Sequence, residues 1–214
     1  MEKKDYTSLR QEYAGMPLLE EDASPDPLLQ FSLWFSQALS AGLPEPNAMT
    51  LATINLRGNP TARVVLLKEL DKKGFVFYTN YASNKGRELL HHPNAALVFL
   101  WLELQRQVRI EGQVQRISDS ESDQYFASRP RESQLGAMAS PQSEEIPSKA
   151  YLEERFELLK KEHEGKAVRR PDHWGGFRLI PTRMEFWQGQ PGRLHDRLLY
   201  VYQGLTWQMK RLAP

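Results

Sequence analysis

Apolar residues keep two different periods along the chain. Leu28, Phe31, Trp34, Phe35, Ala38 and Leu39 recur at helical spacing. Asp26-Pro27 before them and Gly42 after them are the residue types that open and close a helix. Proline's missing N–H costs nothing at the first helical position, and glycine accepts the left-handed turn that ends one. The period then falls to two. Residues 48–55, 61–70 and 75–79 read as strands, separated by the turn-like Arg57-Gly58-Asn59-Pro60 and Asp71-Lys72-Lys73-Gly74. A short helix over 84–92 stops at Pro93, and residues 95–102 and 105–117 follow as a hairpin of two long strands. Ser118 and Glu121 have capping-box spacing and start a helix that runs to about residue 128. Arg129-Pro130 opens a second short turn of helix, 140–147 is loop, and 148–165 is an amphipathic helix carrying Tyr151, Leu152, Phe156 and Leu159. Strands at 176–180, 183–188 and 197–202, with a candidate fourth at 207–212, close the chain.

About eight strands joined mostly by tight turns, with helices inserted rather than alternating, predict a mainly β, α+β fold. An antiparallel barrel with peripheral helices suits that order better than a doubly wound parallel sheet. Residues 1–24 are polar and weakly periodic and read as an N-terminal arm. Residues 25–214 show no repeat, low-complexity tract or linker and read as a single domain, an ordinary size for an all-β unit. The charged N-terminus lacks the apolar stretch of a secretory signal, and the longest apolar run, 95–102, is far short of the roughly 20 residues that span a bilayer. The expectation is a cytoplasmic protein without a membrane partner.

Composition removes several chemistries. The chain has 28 Lys and Arg against 27 Asp and Glu, a net charge of +1, and no cysteine. That excludes disulfides, thiolate zinc, iron–sulfur clusters and a cysteine nucleophile, and the charge is too balanced for non-specific wrapping of nucleic acid. Neither a Rossmann nor a P-loop glycine pattern is present, no serine elbow occurs, and the five histidines never make HExxH. His91-His92 at a helix end reads as a solvated cap, so no metal site is expected. An enzyme with this inventory leaves its hard chemistry to an organic cofactor.

Three segments carry candidate chemistry. Residues 78–85, Tyr-Thr-Asn-Tyr-Ala-Ser-Asn-Lys, pass from a strand end into a helix start, where free N–H groups, hydroxyls, amides and Lys85 can hold a phosphate. Alternatively, Ser83 or Asn84 is only an N-cap. Residues 125–136 place Pro130 between Arg129 and Arg131, with Ser133 four residues after Arg129 and hence on the same helix face. A guanidinium fork plus a hydroxyl suits a phosphate ester, or the segment is a solvated basic turn. In the third segment, strand alternation puts Arg193, His195 and Arg197 on one face, either delivered into a site by a tight Gly-Gln-Pro loop or simply exposed, which needs no partner. Two strands fit beside these, one with Arg63 and Lys68 bracketing four apolar residues, the other presenting Gln105, Gln107 and Arg109 on one face.

The motifs RVVLLK, VFYTNYASNK, RQVRIEG, YFASRPRESQLGA, WGGFR, EFWQG, RLHDR and terminal RLAP, in this order, resemble the pyridoxine (pyridoxamine) 5′-phosphate oxidase family. The likeness runs from LRQEY at 9–13 to Pro214. It implies an FMN-binding split β-barrel, a homodimer with FMN sites at the subunit interface. It also implies oxidation of pyridoxine 5′-phosphate or pyridoxamine 5′-phosphate to pyridoxal 5′-phosphate in vitamin B6 metabolism. A hydride passes from C4′ to flavin N5, and O2 reoxidises the flavin with release of H2O2. By the same resemblance Arg63, Val64, Lys68, Tyr78, Thr79, Ser83, Asn84, Lys85, Gln107, Gln142, Ser143, Trp187 and Arg197 contact FMN or lie along it. Lys68, Tyr125, Arg129 and Ser133 hold the substrate phosphate. Arg193, Leu194 and His195 lie over the substrate ring, with Arg193 and His195 as the catalytic pair. Arg10 and Tyr13 match an arm segment that can fold over the occupied site. Two points depart from the pattern: many members carry Arg where this chain has Asn84, and alternation puts Arg63 and Lys68 on opposite strand faces unless a bulge, twist or the dimer interface intervenes.

Three rivals follow from the same residues. One is a flavin oxidoreductase with another substrate, which SRPRES and RLHDR oppose. Another is a non-catalytic carrier of FMN or pyridoxal phosphate. The third is an RNA-binding β-barrel using Arg106, Arg109 and Arg116, which do not share a face with exposed aromatic residues as a stacking platform requires.

Overall fold

The computed structural model describes residues 5–9 and 12–214. Among them the elements are, in chain order, α1 (Pro27–Ser40), β1 (Ala48–Ile54), β2 (Pro60–Leu66), β3 (Glu69–Asp71), β4 (Gly74–Asn80), α2 (Asn84–His91), β5 (Asn94–Trp101), β6 (Arg106–Arg116), α3 (Asp119–Ser128), α4 (Arg131–Ala139), α5 (Lys149–Glu162), β7 (Trp174–Gln188), a 3-10 turn (Pro191–Arg193), β8 (Asp196–Tyr202) and β9 (Trp207–Arg211). The strands form one sheet in the order β2-β1-β5-β6-β7-β4-β3, with β8 on β7 and β9 on β8. No helix among the described residues is long and apolar enough to cross a membrane.

By internal contacts the chain falls into two compact units. One comprises Met1–Pro46, Val98–Ile110 and Thr182–Pro214. Here the Asp26 carboxylate accepts from the Leu28 N–H at 2.8 Å and caps α1, and Pro27 stands at its start as predicted. The periodic face of α1 buries Phe31, Trp34 and Ala38. Phe31 packs edge-on to Phe99 at 4.9 Å, and Trp34 meets Phe186 at 5.3 Å. Arg106 is engaged in this unit: its guanidinium lies 4.4 Å over Trp34 and donates to Gln188 and Gln37. It is a packing residue, not part of a stacking platform for bases.

The other unit comprises Asn47–Leu97 and Glu111–Pro181. Its centre is β4, where Phe75, Val76 and Phe77 are fully buried and pair with β7 in the register Phe77↔Phe177 and Phe75↔Leu179. Burying one such aromatic side chain stabilises the fold by about 1.5–3 kcal/mol. Gly112 of β6 is required by close approach, since a Cβ there would stand 2.0 Å from the Ile180 carbonyl oxygen. The capping box at Ser118 forms fully: its hydroxyl accepts from the Glu121 N–H at 3.2 Å, and Glu121 accepts from the Ser118 N–H at 3.0 Å.

Two strand boundaries differ from the sequence expectation. Residues 61–70 are not one strand but β2 and β3, because the chain changes partners in the middle. Leu66 pairs with Ala48 of β1, whereas the Lys68 N–H donates to the Val76 carbonyl at 2.9 Å and Glu69 pairs with Val76 of β4. Residues 176–180 and 183–188 are conversely a single strand, β7, running through Pro181. Its first half pairs with β4 and its second with β8; Pro181, with no N–H for a ladder, stands between the two pairings.

Candidate active site

A cavity of ≈ 360 Å³ opens where the end of β4, the start of β7, α3 and α4 converge. Lys68, Lys85 and Arg129 line it with the hydroxyls and amides of Tyr78, Thr79, Asn80, Tyr125, Ser140 and Gln142, and no carboxylate is among its lining residues. Lys85 Nζ donates to Thr79 Oγ1 at 3.3 Å and to Gln142 Oε1 at 3.2 Å. Burial depresses its pKa, and the nearby Arg63 charge depresses it further. Tyr78 and Tyr125 stack at 3.8 Å, and Trp174 lies nearly parallel, 5.4 Å from Tyr78. Burial pushes the Tyr78 phenol up to about 12, so it stays a neutral donor. Arg129 rests 4.6 Å over Trp174, and its Nη1 is buried with no hydrogen-bond partner. Burial lowers the guanidinium's pKa but leaves it charged. A buried cationic donor without a partner, in a cavity that two lysines also line, is arranged for an anion carrying several acceptors.

The segment from residue 125 to 136 meets its reading in part. Pro130 does stand at the start of a helix, α4, between two guanidiniums. Arg129, however, is extended rather than helical, so it and Ser133 do not share a helix face. Arg131 turns away and donates to the carbonyls of Lys166 and His163, leaving Arg129 as the cavity's guanidinium. Of its two readings, Ser83 stands as the N-cap: it is buried, and its hydroxyl donates to the Asn80 carbonyl at 2.6 Å. Its hydroxyl N-caps α2 by accepting from the Gly86 N–H at 3.3 Å, and Lys85 Nζ reaches it at 3.4 Å.

The second cavity, ≈ 710 Å³, belongs to the unit that contains α1 and is lined by Leu9, Glu12, Tyr13, Gln190, Gly192, Arg193 and His195. The expectation that Arg193, His195 and Arg197 share one strand face is corrected here. Pro191 and Gly192 fold the chain into a 3-10 turn, so only Arg197 lies in a strand, β8. Gly192 and Arg193 both take left-handed backbone, φ 62° and 63°. His195 accepts from the Gln190 N–H at Nδ1 (3.1 Å), which places the proton of the neutral ring at Nε2. Its ring packs 4.7 Å from Trp187 and 5.4 Å from Tyr13. Arg197 is held by Glu185 at 2.8 Å, which also meets Arg109 at 3.4 Å, and by the Ala213 carbonyl at 2.8 Å. The Glu185 hydrogen bond raises the Arg197 pKa and keeps it charged.

Of the residues singled out from sequence, Val64, Lys68, Tyr78, Thr79, Lys85, Tyr125, Arg129 and Gln142 line the first cavity, and Tyr13, Arg193 and His195 the second. Arg63, Ser83, Asn84, Ser133 and Ser143 lie outside the first lining. Arg63 is instead bound to the buried Glu88 at 2.9 Å and to Thr61 at 2.8 Å, yet its charge still acts on Lys85. The partner switch between Leu67 and Lys68 breaks the alternation that would have put Lys68 on the face opposite Arg63. Asn84 accepts from Arg87 at 2.8 Å, so a guanidinium is tethered to that corner of α2. Gln107, at the start of β6, and Trp187, in β7, are half-buried; Leu194 is exposed. Arg10 lies outside the described residues. Sequence reasoning missed Trp174, Glu88 and Glu185. The first and last stand inside the quoted WGGFR and EFWQG motifs, but nothing in their spacing marks them as supports for arginines.

The family model described as pyridoxamine 5′-phosphate oxidase matches residues 35–161, and a pyridoxine 5′-phosphate oxidase C-terminal dimerisation region matches residues 174–214. A pyridoxine/pyridoxamine 5′-phosphate oxidase of Thermosynechococcus vestitus is 60% identical over 206 residues, 96% of this chain and 97% of that protein. One of Burkholderia thailandensis is 54% identical over 209 residues, 96% of this chain and 97% of that protein. Among solved structures, PhzG from Burkholderia lata in complex with tetrahydrophenazine-1-carboxylic acid superposes with TM-score 0.88 at 32% identity, covering 94% of this chain and 99% of that one. A pyridoxamine 5′-phosphate oxidase-related, FMN-binding protein of Nostoc punctiforme shares the fold at TM-score 0.70 and 14% identity, over 90% of this chain and 99% of its own. The fold is the antiparallel split β-barrel with peripheral helices expected from sequence. Matched along most of its length by both models and nearly end to end by these relatives, the chain belongs to the pyridoxine/pyridoxamine 5′-phosphate oxidase family.

Proposed function

We propose that the chain is a cytoplasmic, homodimeric, FMN-dependent oxidase that converts pyridoxine 5′-phosphate or pyridoxamine 5′-phosphate to pyridoxal 5′-phosphate. The observation that carries this reading is the cavity around Arg129, with its unpartnered buried Nη1, two lysines and no acidic lining residue. That donor set fits phosphate, which both FMN and the substrate carry. The curated relatives bear the same activity in their names. The assigned residues fall into two groups, one in each compact unit, and a matched dimerisation region supports sites to which both chains of a dimer contribute.

When bound, FMN supplies the two-electron acceptor for the hydride leaving C4′ and returns those electrons to O2, giving H2O2. Thr79, Lys85 and Gln142 would hold it, with Arg63 adding charge and Val64, Gln107, Trp187 and Arg197 lying along it. Arg129, Lys68 and Tyr125, which line the cavity, anchor the substrate phosphate; Ser133, outside that lining, is left out of the anchor. This anchor is remote from the reacting carbon, so its binding energy serves orientation and lowers the entropy of approach. The Arg193 guanidinium, a donor with no acceptor atom, polarises and holds the substrate rather than serving as a base. His195, accepting at Nδ1, offers an N–H donor from Nε2 and positions the ring.

The test is the visible spectrum of the purified protein. It should be yellow, lose that colour on anaerobic addition of pyridoxine 5′-phosphate, and regain it in air with one peroxide and one pyridoxal 5′-phosphate formed per turnover. A colourless protein that FMN cannot reconstitute would overturn the reading.

A further inference from the structure

We infer that Arg211, near the C-terminus, is a positioning residue for the substrate side of the site. With Glu20 and Asp196 it forms a clasp that fastens the N-terminal arm along the cavity of Arg193 and His195. The inference rests on the function proposed above for that cavity.

The clasp is built from three stretches of chain. Arg211 grips Glu20 in a two-pronged ion pair, Nε to Oε1 at 2.7 Å and Nη2 to Oε2 at 2.6 Å. Its Nη2 also donates to the Leu18 carbonyl at 2.8 Å, and its Nη1 to Asp196 Oδ1 at 2.7 Å. The other Asp196 oxygen accepts the Leu18 N–H at 3.0 Å, so both backbone polar groups of Leu18 are taken up. The Leu18 side chain is buried. Only a planar fork can meet a carboxylate side-on, a second carboxylate and a carbonyl at once; a lysine cannot.

Toward the N-terminus from this anchor, the arm is held by sparser contacts. Met16 accepts from Gln190, the Ala14 N–H donates to Gln105 at 2.8 Å, and Tyr13 sets its ring edge-on to Trp187 and His195. Ala14 and Met16 are exposed. Ordering exposed residues costs backbone entropy that such contacts offset only in part. Fixing Leu18 and Glu20 shortens the free segment and lets Tyr13 wall the cavity. Asp196 follows His195 directly, so the carboxylate that fastens the arm also fixes the start of β8 beside the proposed catalytic pair.

The experiment uses the FMN-loaded enzyme and compares Arg211→Met, Arg211→Lys and Glu20→Gln with the parent. KM for pyridoxine 5′-phosphate should rise about five- to tenfold in Arg211→Met and less in the other two, with kcat within about twofold and flavin content unchanged. Glu20→Gln added to Arg211→Met should raise KM by less than the product of the single effects. Amide hydrogen exchange at Ala14 and Leu18 should speed up in every variant. Unchanged KM and unchanged exchange in Arg211→Met would overturn the clasp, and so would a parallel loss of flavin and kcat in both Arg211→Met and Glu20→Gln. A parent enzyme that binds FMN but does not turn over would instead overturn the proposed activity, while hydrogen exchange would still decide the clasp.

Discussion

Arg129 shows how a single side chain can be readied for a ligand. Its guanidinium is half-buried, lies over Trp174 and keeps one nitrogen without a partner. A charged hydrogen bond is worth about 1.5–3 kcal/mol, so Arg129→Ala should raise KM for pyridoxine 5′-phosphate by about ten- to a hundredfold, with a smaller effect on kcat. Trp174 supports that fork from below. Trp174→Leu is expected to raise KM by a smaller factor and Trp174→Phe to recover most of it, with flavin content measured alongside the steady-state kinetics. Lys85 makes a pH prediction. Its pKa is depressed by burial and by Arg63, and a bound phosphate favours its charged form. FMN affinity should therefore be highest below that depressed pKa and fall as pH rises through it, while Lys85→Arg flattens the curve. Fluorescence titration with FMN between neutral pH and about pH 10 reads the difference.

At the scale of elements, end signals were more legible than partners. Asp26-Pro27 and the pair Ser118 and Glu121 name their helices in the sequence because a cap is local chemistry between residues two or three apart. Glu121 makes this measurable. The Ser118 hydroxyl and N–H, followed by Arg178, hold its carboxyl down at about 2 against an ordinary 4.5. A depressed carboxylate stabilises the fold above its ordinary pKa, and that contribution is lost as pH falls through the folded value. Glu121→Gln should thus melt below the parent at neutral pH, and the two should converge near pH 2 in thermal scans followed by circular dichroism. Strand partners were not legible. Alternation reports which face is buried but not which neighbour supplies the ladder, so the partner change after Leu67 and the continuity of β7 through Pro181 both escaped it. Nor does any local pattern join Glu20 to Arg211, 191 residues apart.

For the molecule as a whole, a net charge of +1 conceals a local concentration of cations at a cavity with no acidic lining residue. The candidate site was legible where its residues sit in compact motifs and illegible where one residue supports another across the fold, as Glu88 does for Arg63 and Glu185 for Arg197. With a matched dimerisation region, the mass in solution should be twice 24.8 kDa by light scattering. Dilution into the monomer range should release flavin, because each proposed site takes groups from both chains. The loop before β8 sets a different kind of limit. Arg193 occupies left-handed backbone that an L side chain adopts at a cost of roughly 1–2 kcal/mol and that glycine adopts freely. At this position the needs of the backbone and those of the proposed catalytic role select different residues. If the proposed role holds, an Arg193→Gly enzyme keeps the parent's melting temperature, or exceeds it, while losing nearly all turnover, the pattern of a residue kept for a reaction at the expense of its fold.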